Sequence, residues 1–308
     1  MTDLAIDVGG TKTLVAVFED DSVKPSEVDR FPTDPYAGLE NFITRLSKVC
    51  AKYVDPSNVR YWGLCTAGAV DVSTGRLIWS PNLGWKDVNL YERLSQLFGN
   101  QGIVENDCNA AAYGEWSARP GIDSLVYITV STGIGMGIVS SGRIIRGSHG
   151  AAGEIGHTTV LPDGPECTCG RRGCLQAIAG GRGLSSQVER LLGKRLSTEE
   201  IIDLAREGEP EYVEIVVKGA MFLGRFLANM IDALDPAVLV IGGSLGKNPH
   251  YRKLVVDFFA KFYYILPDKT VVIEPPSAEP DPGIIGVLQL SRSMGVRKNE
   301  KSDKIFSS

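Results

Sequence analysis

Short apolar runs alternate along this chain with longer stretches of helical spacing, the rhythm of an α/β protein. Leu4-Ala5-Ile6-Asp7-Val8 is an apolar run broken by one acid, and residues 14–18 form a second. The string Gly9-Gly10-Thr11-Lys12-Thr13 between them predicts a strand-turn-strand hairpin. Leu39, Phe42, Ile43, Leu46, Val49 and Cys50 recur at helical spacing, predicting a helix within residues 36–53 that Asp55-Pro56 stops. Residues 61–64 read as a strand entering a loop of small residues, 65–71, and residues 103–107 end another strand ahead of an Ala-rich helix over 108–116. A strand over 125–130 leads into Ser131-Thr132-Gly133-Ile134-Gly135-Met136-Gly137 and a further strand, a second glycine hairpin. Residues 197–206 open with a capping sequence, and residues 211–234 keep Val216, Leu223, Leu227 and Ile231 on one face, so both are helices. Residues 237–241 then form a buried strand running into Gly242-Gly243-Ser244-Leu245-Gly246. Four prolines within residues 275–282 exclude a helix interior; residues 283–294 read as a terminal helix, with a polar tail expected to fray beyond Gly295.

With 308 residues, 43% hydrophobic and 22% charged, the chain can bury the cores of two ordinary domains. A formal charge of −5 argues against a nucleic-acid surface, which needs clustered Lys and Arg. Six unevenly spaced cysteines do not make a secreted disulfide scaffold. With no signal peptide and no apolar run of about 18 residues, a reducing cytoplasm is the expected location, without membrane attachment.

The densest chemistry lies in Gly153-Glu154-Ile155-Gly156-His157 and, ten residues on, Cys167-Thr168-Cys169-Gly170-Arg171-Arg172-Gly173-Cys174. Thiolates with a neutral imidazole suit tetrahedral zinc, and Gly170 and Gly173 give a tight chelating loop its backbone freedom. His157, Cys167, Cys169 and Cys174 therefore read as a closed Cys3His site, leaving no position for an activated water. In the first hairpin, Gly9 and Gly10 let backbone N–H groups approach phosphate oxygens, Thr11 and Thr13 offer hydroxyls, and Asp7 can hold Mg²⁺ through water. Neither glycine hairpin opens a helix, so a P-loop or a Rossmann dinucleotide site is not indicated. Asp107, at the carboxyl end of a strand, stands where open α/β sheets place their chemistry; capping the following helix is the plainer role. Gly242-x-Ser244-x-Gly246 also matches a hydrolase nucleophile elbow, but only His250 follows it, with no acid between.

The Gly-Glu-Ile-Gly-His string, the Cys-x-Cys-Gly-x-x-Gly-Cys run and the following Leu175-Gln176-Ala177 resemble the signature of the ROK family of sugar kinases and repressors. The resemblance covers roughly residues 1–295 through five motifs in family order. It implies a two-domain actin-like ATPase fold of the ribonuclease H-like type with a cleft near Asp107: a small domain over 1–107, a larger one with the zinc loop over 108–282, and the helix over 283–295 returning to the first. It implies that ATP with Mg²⁺ is held by Asp7, Gly9, Gly10, Thr11, Lys12 and Thr13, by Thr132 and Gly133, and by Gly242, Gly243 and Ser244 along the adenosine. It implies a hexose held by Gly68, Asn82, Asn106, Glu154, His157 and Gln176, with Asp107 as general base for transfer to the 6-hydroxyl of glucose or a relative. An N-acetylhexosamine kinase or a fructokinase would carry the same motifs. Members are often homodimers, and zinc is structural.

Departures from the pattern matter. Ala67 and Ala69 stand where the family usually has prolines, so that loop is expected to be less rigid. Gln176 stands where it usually has a glutamate near the sugar's first two carbons. An amide both donates and accepts, so a broadened hexokinase is expected, narrowed by Gln176→Glu. A repressor of the family would need a helix-turn-helix ahead of the first hairpin, where Asp7 is only seven residues in, and the acidic balance argues against it too.

Overall fold

Two five-stranded sheets laid out on one plan organise the computed structural model, which describes residues 1–263 and 271–305. β1 (Thr2–Val8), β2 (Lys12–Glu19) and β3 (Glu27–Pro32) form an antiparallel meander, and α1 (Leu39–Cys50) leads to β4 (Val59–Thr66), parallel to β1. A three-stranded antiparallel sheet follows, of β5 (Ala69–Asp71), β6 (Arg76–Ser80) and β7 (Trp85–Asn89), and then α2 (Leu90–Phe98). β8 (Gly102–Asn106) pairs in parallel with β4 and passes directly into α3 (Asp107–Ser117), closing a sheet of order β3-β2-β1-β4-β8.

The plan repeats with β9 (Ser124–Val130), β10 (Ile134–Ser140) and β11 (Arg143–Ile144). Four helices come next: α4 (Leu175–Ala179), α5 (Gly181–Leu192), α6 (Thr198–Glu207) and α7 (Pro210–Leu234). β12 (Val238–Gly242), α8 (Pro249–Phe262) and β13 (Val272–Glu274) complete a sheet of order β11-β10-β9-β12-β13, in which β12 is parallel to β9 and β13. The last element is α9 (Pro282–Ile305).

Local chemistry explains the boundaries. Ser197 and Glu200 form a reciprocal capping box at the start of α6. α1 stops at Cys50, before Asp55-Pro56; Asp55 instead caps a single 3₁₀ turn through the Ser57 N–H. The small sheet, α2 and α8 escaped the periodicity reading. Only Val70 of β5 is buried, and β6 and β7 each present two exposed residues. Such short, two-sided segments carry no clean alternation.

The chain divides into two compact units: Met1–Gly121 with Gly137–Ala152 and Ser277–Ser308, and Ile122–Met136 with Gly153–Pro276. A boundary at 107/108 would put α3 with the second unit; it falls instead with the first sheet. α3 is buried almost all round, with Cys108, Asn109, Ala110, Ala111, Ala112, Gly114 and Glu115 inside. It meets α9 backbone to backbone, since a side chain at Gly114 would overlap the Pro282 carbonyl and one at Gly286 the Ala110 carbonyl. α9 also lies on β4, where a Cβ at Gly63 would come 2.5 Å from the Val287 carbonyl oxygen.

Three wholly buried carboxylates of this unit, Asp3, Glu105 and Glu115, all have fixed partners. Arg60 donates to both Asp3 oxygens (2.9 and 2.7 Å), and Arg292 of α9 donates to one of them (2.7 Å). Glu115 is paired with Arg119 and accepts the N–H groups of Ser277 (2.9 Å) and Ala278 (3.0 Å), fixing the proline-rich segment that leads into α9. Burial of an unpartnered carboxylate is prohibitive, so these pairs fix which chain segments lie together.

Gly286→Ala is expected to destabilise the first unit by about 1–3 kcal/mol through overpacking of the α3–α9 contact. An unchanged urea unfolding midpoint would count against that contact.

Candidate active site and metal centre

In the first unit, the turn between β1 and β2 is closed by the Gly9 N–H donating to the Lys12 carbonyl (3.0 Å). Thr11 and Lys12 are exposed on it. Thr13 is wholly buried, and its hydroxyl lies 2.9 Å from that of Thr33, which in turn donates to the Gly9 carbonyl (2.6 Å). Thr13 thus stiffens the loop from inside instead of offering its hydroxyl outward, a role its sequence position did not disclose. A Cβ on Gly10 would lie 3.3 Å from Asn82, so the first glycine turn and the exposed Asn82 of the β6–β7 turn are neighbours.

Asn106 and Asp107 divide the work at the start of α3. The Asn106 side chain is the N-cap, accepting from the N–H groups of Cys108 (2.9 Å) and Asn109 (3.1 Å), while its amide donates to the Gly68 carbonyl (3.1 Å). Gly68 has φ of +121° and lies so close to Trp79 and Ser80 that only glycine fits. Asp107 is therefore not needed as the cap. Glu105 holds the turn from beneath, accepting the Asn106 N–H (3.0 Å), the Asn109 amide (3.2 Å) and the Arg146 Nε (2.8 Å).

Burial raises the Asp107 carboxyl above the ordinary carboxylate range, opposed by hydrogen bonds from Cys108 and Asn106. Asp7 is pushed up to about 8, first by burial and then by the neighbouring charges of Asp281 and Asp107. Cys65 donates its S–H to Asp7 (3.6 Å). The first unit thus brings Asp7 and Asp107 together and adds Asp281, Glu105 and Arg146. None of those three stood out in sequence, since an Asp before a helix, a Glu ending a strand and a loop arginine are common in structural roles.

In the second unit, Thr132 is exposed at the tip of the β9–β10 turn. The N–H groups of Gly181 (2.8 Å) and Arg182 (3.0 Å) donate to the Ser131 and Thr132 carbonyls and anchor it. The Ser244 hydroxyl lies 3.0 Å from that of Ser131, joining the Gly242-Gly243-Ser244 turn to this hairpin. Gly243 has φ of +79° and packs against the Val130 backbone. Ser244 is thus engaged with a serine, not with the histidine a nucleophile elbow requires.

Near this hairpin, the ligand atoms of His157, Cys167, Cys169 and Cys174 lie within 4.8 Å of one another. The Cys167 sulfur is 3.7 Å from His157 Nδ1, and the Cys169 and Cys174 sulfurs are 3.7 Å apart. Tetrahedral zinc with bonds of ~2.3 Å to sulfur sets its ligands ~3.8 Å apart, so the donor set fits the ion in both chemistry and spacing. The Arg171 backbone N–H brings the Cys169 thiol down to about 6, against burial, so a thiolate is ready at neutral pH. With Nδ1 turned to the sulfurs, Nε2 is the ring nitrogen of His157 left for another partner. Glu154 is exposed one turn away, its carbonyl accepting the His157 N–H (3.1 Å).

The doubled sheet plan with its two glycine turns is that of the actin-like ATPase fold, and the likeness to known proteins places the chain among the sugar kinases of that fold. Residues 3–294 match the ROK family, and the chain belongs to it. It is 31% identical to a glucokinase of Thermotoga maritima, over 93% of this chain and 96% of that one. It is 36% identical to an N-acetylmannosamine kinase of Escherichia coli, over 85% and 89% of the two chains. The crystal structure of a ROK hexokinase from Thermus thermophilus superposes with a TM-score of 0.82 at 31% identity, covering 97% of this chain and 100% of that one. Among the described residues no helix is long and apolar enough to cross a membrane.

Freshly purified protein is expected to carry one zinc per chain, and Cys169→Ser to lose metal and loosen the loop. Less than about half an equivalent by metal analysis would count against the four ligands.

Proposed function

We propose that the chain transfers the γ-phosphoryl group of ATP to the 6-hydroxyl of glucose or a close relative, with Asp107 as general base. The observation that carries this reading is the arrangement at the start of α3: Asn106 is the N-cap, and the partly buried Asp107, at the first helical position, accepts the Cys108 N–H (2.9 Å) without being the cap. As the sugar oxygen bonds to phosphorus and the bond to the ADP oxygen breaks, the hydroxyl proton passes to an Asp107 oxygen. A base whose basicity burial has raised suits that step better than an ordinary surface carboxylate.

The nucleotide is assigned to the exposed tips of the two glycine turns, Thr11 and Lys12 with Gly9 and Gly10 in one, Thr132 and Gly133 in the other. Gly242, Gly243 and Ser244 are assigned to the adenosine. Magnesium held through Asp7 would neutralise phosphate charge and would relieve the cost of ionising a carboxyl beside Asp107 and Asp281. Gly68, Asn82, Asn106, Glu154 and His157 are the assigned hydrogen-bond partners of the sugar. Zinc in the Cys3His site would order the loop that presents His157 Nε2, without entering the reaction.

A second reading takes a 2-acetamido sugar as substrate, and the 36% identity to an N-acetylmannosamine kinase favours it. The 31% identity to a glucokinase and the likeness to a hexokinase structure support glucose.

Asp107→Asn, which keeps size but removes the proton acceptor, should lower kcat by about 10²–10⁴-fold with little change in sugar affinity. Near-normal turnover of that variant would remove Asp107 from the mechanism. In a coupled ADP-release assay over hexoses, hexosamines and N-acetylhexosamines, glucose should lead. N-acetylmannosamine exceeding glucose by more than about 100-fold in kcat/KM, roughly 3 kcal/mol, would transfer the assignment to the second reading.

A further inference from the structure

Thr33, the residue after β3, is wholly buried, and its polar groups are engaged with the first glycine turn and with α1. Its N–H donates to the Thr11 carbonyl (3.0 Å) and its hydroxyl to the Gly9 carbonyl (2.6 Å). The Thr13 hydroxyl, also wholly buried, lies 2.9 Å from the Thr33 hydroxyl. A carbonyl can only accept, so the Thr33 hydrogen goes to Gly9 and the Thr33 oxygen accepts from Thr13. The hydrogen bonds therefore run from Thr13 to Thr33 to Gly9, each polarising the next. Residue 33 is itself held from α1. Arg45 donates to the Pro32 carbonyl (2.6 Å) and to the Thr33 carbonyl (2.5 Å), with its guanidinium 5.8 Å from the centre of the Phe31 ring. Hydrogen bonds from a charged donor are the stronger kind, so Arg45 fixes where Thr33 stands.

We infer that Thr33 is a positioning residue for the nucleotide: by holding the Gly9 and Thr11 carbonyls to itself, it sets the N–H groups on the far side of those peptide planes toward the phosphates. The inference rests on the assignment of the ATP phosphates to this turn. In a trans peptide the carbonyl and the next N–H point in opposite directions. With the Gly9 carbonyl on Thr33, the Gly10 N–H faces away from Thr33, and the Thr11 carbonyl turns the Lys12 N–H away in the same manner. Among the described residues the Gly10 N–H meets no acceptor. Packing alone does not account for the buried threonine pair, since valine has the same shape and carries no hydroxyl to desolvate. The turn does account for it. Gly9-Gly10 is intrinsically pliable backbone, and ordering it before the nucleotide arrives removes that cost from binding. The two threonines thus serve phosphate binding without touching phosphate, and the Thr13 hydroxyl acts through Thr33.

The test uses full-length protein and reads ADP affinity by calorimetry, the KM values for ATP and for the preferred sugar, and the urea midpoint. Thr33→Val keeps the shape and removes the donor to Gly9. Its ADP affinity should fall about 10-fold, the scale of one lost buried hydrogen bond, and its KM for ATP should rise in step. The KM for the sugar should not move. Thr33→Ser keeps the hydroxyl and should hold ADP affinity within about 2-fold of the parent protein. Arg45→Met leaves the threonine pair intact and frees residue 33 from α1, so it should lower ADP affinity about 3-fold and decides the matter if Thr33→Val does not fold. Amides of residues 9–12 should exchange faster in both weakened variants. A lowered urea midpoint with parental ADP affinity in Thr33→Val would mark a purely structural threonine and overturn the inference. Parental ADP affinity in Arg45→Met, where Thr33→Val does not fold, would do the same, as would equal losses for sugar and nucleotide. Lys12→Glu, a charge reversal at the exposed tip of the turn, probes the assignment beneath. ADP affinity unchanged in that variant would overturn the phosphate reading and the inference with it. Weakened ADP binding in Lys12→Glu beside parental affinity in Thr33→Val would overturn the inference alone.

Discussion

The backbone contact between α3 and α9 is the constraint on which the first unit depends. α3, with the Asp107 carboxylate in its first turn, is held at fixed depth by alanines and Gly114 where larger side chains would hold α9 away. α9 lies about 170 residues downstream of α3 in the chain, so the position of Asp107 depends on a contact remote in sequence. Arg292 on Asp3, and Glu115 on the backbone of Ser277 and Ala278, fasten that return at two places.

The carboxylates of this unit fall into two groups by partner. Asp3, Glu105 and Glu115 are buried against arginines and N–H donors. Asp7 and Asp107 are raised in pKa, chiefly by burial. The first group builds the scaffold; the second is poised to exchange a proton or to welcome a cation, the pattern by which environment assigns different work to the same chemical group. Glu105 links the two, since it braces the backbone of Asn106 next to Asp107.

In the second unit the corresponding constraint is the cysteine loop. Its residues make few apolar contacts of their own, with Cys167, Cys174 and Ala177 forming a small separate cluster. Such a loop needs either a metal or a partner to hold one conformation.

The sequence alone determined the two glycine hairpins, the capping box at Ser197, the clustering of His157 with Cys167, Cys169 and Cys174, and the family, because these are local: turn chemistry, residue spacing and period are written within a few adjacent residues. The strand that leads into Asp107 and the long α7 were legible for the same reason. Tertiary structure alone decided that α3 belongs with the first unit, that Asn106 rather than Asp107 caps it, that Asp281 comes near Asp7, and that the Thr13 hydroxyl turns inward to Thr33. Each of these depends on which distant group fills the remaining hydrogen-bond or steric position, and residue spacing carries no record of that.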